Sequence, residues 1–206
     1  MLDSKGFDIW AKEYDKSVEI GDEEYPFHGY YQVLQCVYNL INGKESKKIL
    51  DVGFGTGLLT NRLYIDGAKI YGMDFSQNMI HIAKEKMPKG IFIQWDFNLG
   101  VPSQLKTEKF DYIISSYAIH HLDNDKKFQF INELKGLLNE DGKIIIADVA
   151  FKTENELIKC KSDNDSIWDD EEIYMVGEEI ISKLSDKGIN SRYTQISPCA
   201  GILEIY

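Results

Sequence analysis

Proline, cysteine and histidine are scarce in this chain of 206 residues, with four Pro, three Cys and four His. The prolines never cluster, so no Pro-rich linker divides the sequence. Cys36, Cys160 and Cys199 are odd in number, widely separated and form no Cys-x-x-Cys pair. They read as free thiols of a reducing cytosol, buried more than reactive. Long apolar runs are missing too. The longest, Ile144 to Ala147 and then Val149 to Phe151 around Asp148, is far short of a bilayer span. Residues 1–13 carry acids and no apolar h-region, so no signal peptide is legible. A surplus of basic charge is also lacking, since 23 Lys+Arg stand against 34 Asp+Glu. Of the resulting −11, eight acids between residues 163 and 179 supply −8, with no Lys or Arg among them. Such a chain repels phosphate backbones. The expectation is a cytoplasmic protein with neither a nucleic-acid nor a membrane partner.

What is present is globular: 43% hydrophobic and 12% aromatic residues, enough for one core without disulfides or a structural metal. Residues 7–17 place Phe7, Trp10, Ala11 and Tyr14 at helical spacing. Tyr30, Leu34, Val37 and Ile41 mark a second helix, with Asp22, Glu23 and Glu24 suited to its N-terminal end and Gly43 to its stop. From Lys47 onward short apolar strands alternate with helices. Strands are expected at residues 48–52, 69–74, 91–95, 110–115 and 143–148, with helices at 58–66, 76–87 and about 128–138. That alternation predicts an α/β, Rossmann-like doubly wound sheet of five parallel strands. A helix at about 170–187 follows. Residues 189–196 and 200–206, separated by Ser197-Pro198, then predict an antiparallel β-hairpin added at one edge. The whole reads as one domain: a helical cap at 1–44, a core at 45–150, and lid helices with the hairpin at 151–206.

The chemistry is concentrated at strand ends. Asp51-Val-Gly53-Phe-Gly55-Thr-Gly57 ends the first core strand, where glycines allow a tight turn and close approach of a ligand to backbone. The dinucleotide fingerprint Gly-x-Gly-x-x-Gly/Ala is interrupted, because its sixth position is Leu58 and the third glycine falls one place early. No Gly-Lys-Ser/Thr follows, so the loop is not a Walker loop. A carboxylate at Asp51 would repel a pyrophosphate but could pair with an ammonium group. Asp74, at the end of the second strand, can accept from both hydroxyls of a ribose. Trp95-Asp96-Phe97 ends the third strand with an acceptor for an exocyclic amine beside an aromatic wall. Each Asp alone could be a turn or capping residue. Three at consecutive strand ends, with the glycine loop, point to a nucleoside-bearing ligand with a positive end and no phosphate.

This constellation resembles the class I S-adenosylmethionine-dependent methyltransferases over nearly the whole chain, with the nearest likeness to bacterial YrrT-type methyltransferases. The resemblance implies that Asp51, Gly53, Gly55 and Gly57 hold the methionine part of S-adenosylmethionine, and that Asp74 takes the ribose. It also implies that Phe75 and Met79 flank the adenine and that Asp96 and Phe97 read its amino group and edge. Ser115-Ser116-Tyr117-Ala-Ile-His-His121-Leu122 matches the segment bordering the transferable methyl group. Leu137-Leu-Asn-Glu-Asp-Gly-Lys143 matches the lead into strand five. Phe7-Asp-Ile-Trp-Ala-Lys-Glu-Tyr14-Asp15 is similar to the N-terminal cap of small-molecule methyltransferases, in which the tyrosine helps close over the cofactor. Phe54 departs from the small polar or Cys residue usual after the first motif glycine.

The expected activity is therefore in-line transfer of a methyl group to a small-molecule acceptor, leaving S-adenosylhomocysteine. A catalytically silent module that binds S-adenosylmethionine or S-adenosylhomocysteine is the alternative. Tyr14, Tyr117 and His121 are the candidates facing the acceptor, the tyrosines because aromatic faces attract a sulfonium. His120 and His121, as adjacent residues, are expected to point apart, and no Asp/Glu/His spacing completes a metal site, so no metal is expected. Tyr30 and Tyr31 read as core packing, with a pocket role second. In the acidic stretch, Asp169 and Glu172 stand in capping-box relation ahead of a helix from Ile173 to Leu184. The same stretch, with Trp168 in it, is placed to act as a substrate lid. Spacing encodes neither the acceptor nor the oligomeric state.

Overall fold

A computed structural model describes residues 23–41, 43 and 45–206, together with Lys16. Five strands run parallel: β1 (Lys48–Val52), β2 (Lys69–Asp74), β3 (Ile91–Gln94), β4 (Phe110–Ser116) and β5 (Leu138–Phe151). A two-residue strand β6 (Met175–Val176) pairs with the end of β5, and β7 (Ser191–Gln195) with β8 (Ala200–Ile205) forms the antiparallel hairpin. The main sheet order is β3-β2-β1-β4-β5-β8-β7. Six α-helices accompany it among the described residues: α1 (Tyr30–Leu40), α2 (Leu58–Ile65), α3 (Gln77–Lys86), α4 (Asn124–Lys135), α5 (Glu154–Asp163) and α6 (Gly177–Asp186).

The sheet is apolar on both faces because helices cover both. Ile49, Ile145 and Ala147 face one way, packing with Val33 and Val37 of α1, Leu63 of α2 and Ala83 of α3. Their neighbours Leu50, Ile144 and Ile146 face the other way, with Phe130, Ile131 and Leu134 of α4 and Leu184 of α6. Successive strands step outward from β1 to β3, and the chain then crosses back to lay β4 on the other side of β1. The loops leaving β1 and β4 part in opposite directions at this point, which opens a crevice at the carboxyl edge. The sheet order therefore decides where a ligand can sit.

The expected strands and hairpin are present, but several boundaries move. Strand β5 begins at Leu138, not at residue 143, because Leu138 pairs with Phe110 before a register shift carries the ladder on from Tyr112 and Lys143. Helix α4 accordingly stops at Lys135, with Gly136 as its C-cap. Helix α1 starts at Tyr30 behind a left-handed Gly29 and has no acid in its first turn, so Glu23 and Glu24 lie in turns before it. It ends at Leu40, before Gly43. Helix α5 was not legible as a helix, although Thr153 and Glu156 form its capping box. The acids at 169–172 do not open the next helix. Asp169 Oδ1 instead accepts from the Glu171 N–H in a turn, and α6 starts only at Gly177. Burial of Tyr174 and Met175 and pairing of Met175 with Ala150 hold that segment against the sheet. Apart from Lys16, the expected helix at 7–17 lies outside the described residues, as does Asp22.

Candidate active site

The crevice at the β1/β4 switch is a cleft of about 610 Å³, part of it open to solvent. Asp51, Gly53, Gly55, Asp74, Phe75, Met79, Phe97, Ser116, Tyr117 and His121 line it, together with Tyr30, Phe54 and Thr56. Ten residues selected from the sequence are thus brought together on one cavity. Tyr14 lies outside the described residues.

The glycine loop makes the floor. Gly53 has φ +68°, and a Cβ there would stand 2.5 Å from the Cβ of Ala118, so the two loops close on each other only through bare backbone. Gly55, with φ +56°, faces open space. Its N–H donates to Asp74 Oδ2 at 2.9 Å, while the Ser76 N–H donates to Oδ1 at 2.9 Å. Asp74 is thereby anchored at the tip of β2 with its carboxylate toward the cleft. Ser76, the expected N-cap of α3, accepts from the Met79 N–H, and that cap places Met79 on the cleft wall. Phe54 extends its ring into the space left by Gly72, 4.9 Å from the Phe92 ring. A side chain at position 72 would meet it at 2.5 Å, so the unusual Phe54 is matched by a glycine on the next strand.

Asp51 is the most perturbed acid of the floor. It is 1% exposed, one carboxylate oxygen accepts from the Thr60 hydroxyl, and Oδ1 has no partner. Burial, aided by the nearby negative charge of Asp74, pushes its carboxyl up to about 7 in spite of the Thr60 hydrogen bond. A buried acceptor with an open valence on a cleft wall fits a cationic ligand group such as an ammonium.

Three selected residues serve the frame instead of the wall. Ser115 is buried and donates to the Val52 carbonyl at 2.8 Å, tying β4 to β1. Gly57 is the left-handed N-cap of α2. Asp96 caps a short turn at Phe97–Leu99, accepting from the Asn98 N–H at 2.9 Å, and its side chain is exposed. Phe97 beside it does line the cleft.

The opposite wall is aromatic. Tyr117 adopts φ +51°, a strained conformation for a bulky residue, and its N–H donates to the Ala147 carbonyl at 2.9 Å. Its ring packs 4.5 Å from that of Tyr30. Helical spacing predicts Tyr30 as core packing first. It is buried, but it also lines the cleft, a dual position that helical spacing alone does not separate. Past this wall, Tyr25 stacks on Trp168 at 5.2 Å, and Trp168 meets Tyr174 edge-on at 5.0 Å. The acidic segment is therefore docked by aromatic contacts next to the cleft.

His120 and His121 do not point apart. They lie in a 3₁₀ turn (Ile119–His121), where side chains advance by about a third of a turn per residue, and their ring centroids are 4.2 Å apart. His120 Nδ1 is 2.6 Å from Asp148 Oδ1, and its backbone N–H donates to Asp148 Oδ2 at 3.1 Å. Burial alone would lower the His120 pKa, but the Asp148 carboxylate outweighs it and raises the value. His121 is pushed down to about 4, first by burial and then by the charge of His120. The buried Lys127 donates to the carbonyls of Leu122 at 2.6 Å and Ile173 at 2.5 Å, fastening the acidic segment to the end of the β4 loop.

A doubly wound sheet with a ligand cleft at its switch point, a glycine loop and acids at successive strand ends defines a nucleoside-cofactor enzyme of the class I methyltransferase type. A family model described as a methyltransferase domain matches residues 43–195. An uncharacterised methyltransferase of Alkaliphilus oremlandii is 39% identical over 150 residues, which cover 72% of this chain and 68% of that one. An uncharacterised methyltransferase of Bacillus mycoides is 40% identical over 153 residues, with coverage of 72% and 68%. Among solved structures, the complex of DhpI with S-adenosylmethionine and HEP superposes with a TM-score of 0.73 at 16% identity, over 97% of this chain and 94% of that one. Magnesium protoporphyrin IX methyltransferase from Synechocystis with bound S-adenosylhomocysteine gives 0.71 at 21% identity, over 98% and 94%. At these identities the two structures speak for the fold alone. This chain belongs to the methyltransferase-domain family, as a class I enzyme with S-adenosylmethionine as its methyl donor.

Proposed function

We propose that this enzyme methylates a small-molecule acceptor held between the glycine floor and the aromatic wall. The observation that carries this reading is the asymmetry of the cleft, with carboxylates on one side and Tyr30, Tyr117 and His121 on the other. Asp51 receives the donor's ammonium group on its open oxygen, and Asp74 takes the ribose hydroxyls. Phe75, Met79 and Phe97 enclose the adenine, and Asp96 accepts from its amino group once the exposed side chain swings in. When bound, S-adenosylmethionine supplies an electrophilic methyl carbon on a sulfonium, whose electron pair returns to sulfur as the acceptor's lone pair forms the new bond. The faces of Tyr117 and Tyr30 suit that positive charge. The protein's contribution is alignment and exclusion of water.

The titles of two structural neighbours support a small acceptor. One methylates magnesium protoporphyrin IX, and the other is complexed with HEP beside the methyl donor. The aromatic docking of residues 164–174 supports a lid, and its acids favour a neutral or cationic acceptor. The three unpaired thiols suit a reducing cytoplasm. No helix among the described residues is long and apolar enough to cross a membrane.

The test is transfer of radiolabelled methyl groups to panels of amines, thiols, hydroxyl compounds and carbon acids. Label in an extracted small product is expected. Firm binding of S-adenosylhomocysteine with no transfer to any class would favour the silent binding module instead.

A further inference from the structure

The pair of histidines beside the cleft is part of a larger constellation. His120, His121 and Glu172 each present one ligand atom, and these atoms lie within 4.8 Å of one another. His120 Nε2 is 3.6 Å from Glu172 Oε1. Neighbouring ligands of a tetrahedral zinc ion stand about 3.3 Å apart when each is about 2.0–2.1 Å from the metal. Small side-chain rotations therefore suffice to close the set. The residues come from distant parts of the chain, the end of β4 and the acidic segment, and the Ile173 N–H donates to the His120 carbonyl at 2.9 Å to hold the two together.

For His120 and Glu172 the atoms facing away from this focus are already engaged. Asp148, 1% exposed, holds Nδ1 of His120 and so turns Nε2 toward Glu172. The Tyr174 hydroxyl donates to Glu172 Oε2 at 2.6 Å, and Tyr25 bonds that hydroxyl in turn at 2.6 Å, leaving Oε1 toward the histidines. Carboxylate-held histidine and hydroxyl-held carboxylate are the outer partners that orient metal ligands. Two imidazoles and a carboxylate suit zinc and its first-row neighbours better than magnesium or calcium.

We propose that His120, His121 and Glu172 bind a zinc-class divalent cation, with the remaining position open on the cleft side. His121 lines the cleft, so that open position meets the acceptor and not the donor's carboxylate pocket. An acceptor hydroxyl or thiol bound there gives up its proton to solvent and becomes the better nucleophile. Cation binding stands on the geometry, and only its role toward the acceptor rests on the methyl-transfer reading. The competing arrangement is a metal-free clamp in which His120 bridges Asp148 and Glu172.

The experiment uses the full chain without a histidine tag, treated with chelator and then titrated with Co²⁺ and Zn²⁺. Bound metal is counted by mass spectrometry and Co²⁺ geometry read from its visible absorption. The expected result is one tightly held ion per chain with tetrahedral or five-coordinate Co²⁺ bands. Glu172→Gln and His121→Ala should each weaken binding at least tenfold, with melting temperatures showing that both fold. No stoichiometric ion in the wild type, or equal binding by both variants, overturns the site and leaves the clamp. Calorimetry with S-adenosylhomocysteine on the same samples keeps the readings apart. Cofactor binding without metal sinks only this inference, and metal binding without cofactor sinks only the methyl-transfer reading.

Discussion

Replacing Asp51 with asparagine separates what the fold tolerates from what the ligand needs. The carboxyl sits at about 7 against an ordinary 3.8, because burial disfavours the charged form. The folded state therefore holds this proton more tightly than the unfolded chain does. Its contribution is fully present below pH 4 and is lost as pH rises toward 7. The shift corresponds to on the order of 4 kcal/mol as a ceiling, since one pKa unit is about 1.4 kcal/mol. Asparagine removes the charge but brings an unmatched amide donor, a penalty of about 1–3 kcal/mol that does not vary with pH. The diagnostic is thus the slope. Urea unfolding of the apo protein should show Asp51→Asn gaining on the wild type steadily between pH 4 and 7, with a plateau above. The same variant should bind S-adenosylhomocysteine about 10- to 100-fold more weakly at pH 8, the worth of one charge-assisted hydrogen bond of about 1.5–3 kcal/mol. Parallel stability curves for the two proteins would refute the claim that the buried charge is carried for the ligand's sake.

Three further outcomes follow from the same contacts. Asp74→Ala removes the acceptor for the Gly55 and Ser76 N–H groups as well as the ribose partner, so calorimetry should show S-adenosylhomocysteine affinity falling at least tenfold, with a lower melting temperature. Gly53→Ala places a methyl 2.5 Å from Ala118 on a left-handed backbone; chemical denaturation should register a loss of about 1–3 kcal/mol, the usual penalty of overpacking. Lys127→Met strips the donor shared by the Leu122 and Ile173 carbonyls, and leaving buried acceptors unpaired should lower stability by about 1–3 kcal/mol and speed hydrogen exchange around residue 173.

The parallel core was legible because its strands are short, largely apolar runs such as Lys48–Val52, and the first three run into Gly53, Asp74 and Asp96. Asp51, Asp74 and the glycine loop were legible for the same reason, since strand ends converge at the switch point whatever the intervening helices do. The acidic segment was misread because local capping rules favour a helix from Ile173. A long-range pairing of Met175 with Ala150 and the burial of Tyr174 override them. The meeting of His120, His121 and Glu172 was equally hidden. Some fifty residues separate Glu172 from the histidines, and only the docking of that segment onto the His120 carbonyl brings it close. Asp96 shows the converse. Its position after strand three suggests a ligand contact, and the structure adds a capping bond on an exposed side chain that spacing did not reveal.

The central claim is that the cleft between the β1 and β4 loops receives S-adenosylmethionine, and calorimetric titration tests it most directly. S-adenosylhomocysteine and NAD are titrated in parallel into the wild type and Asp74→Ala. One-to-one binding of S-adenosylhomocysteine, weakened in the variant and with no heat from NAD, is the expected result. Tight binding of NAD with none of S-adenosylhomocysteine would contradict the account.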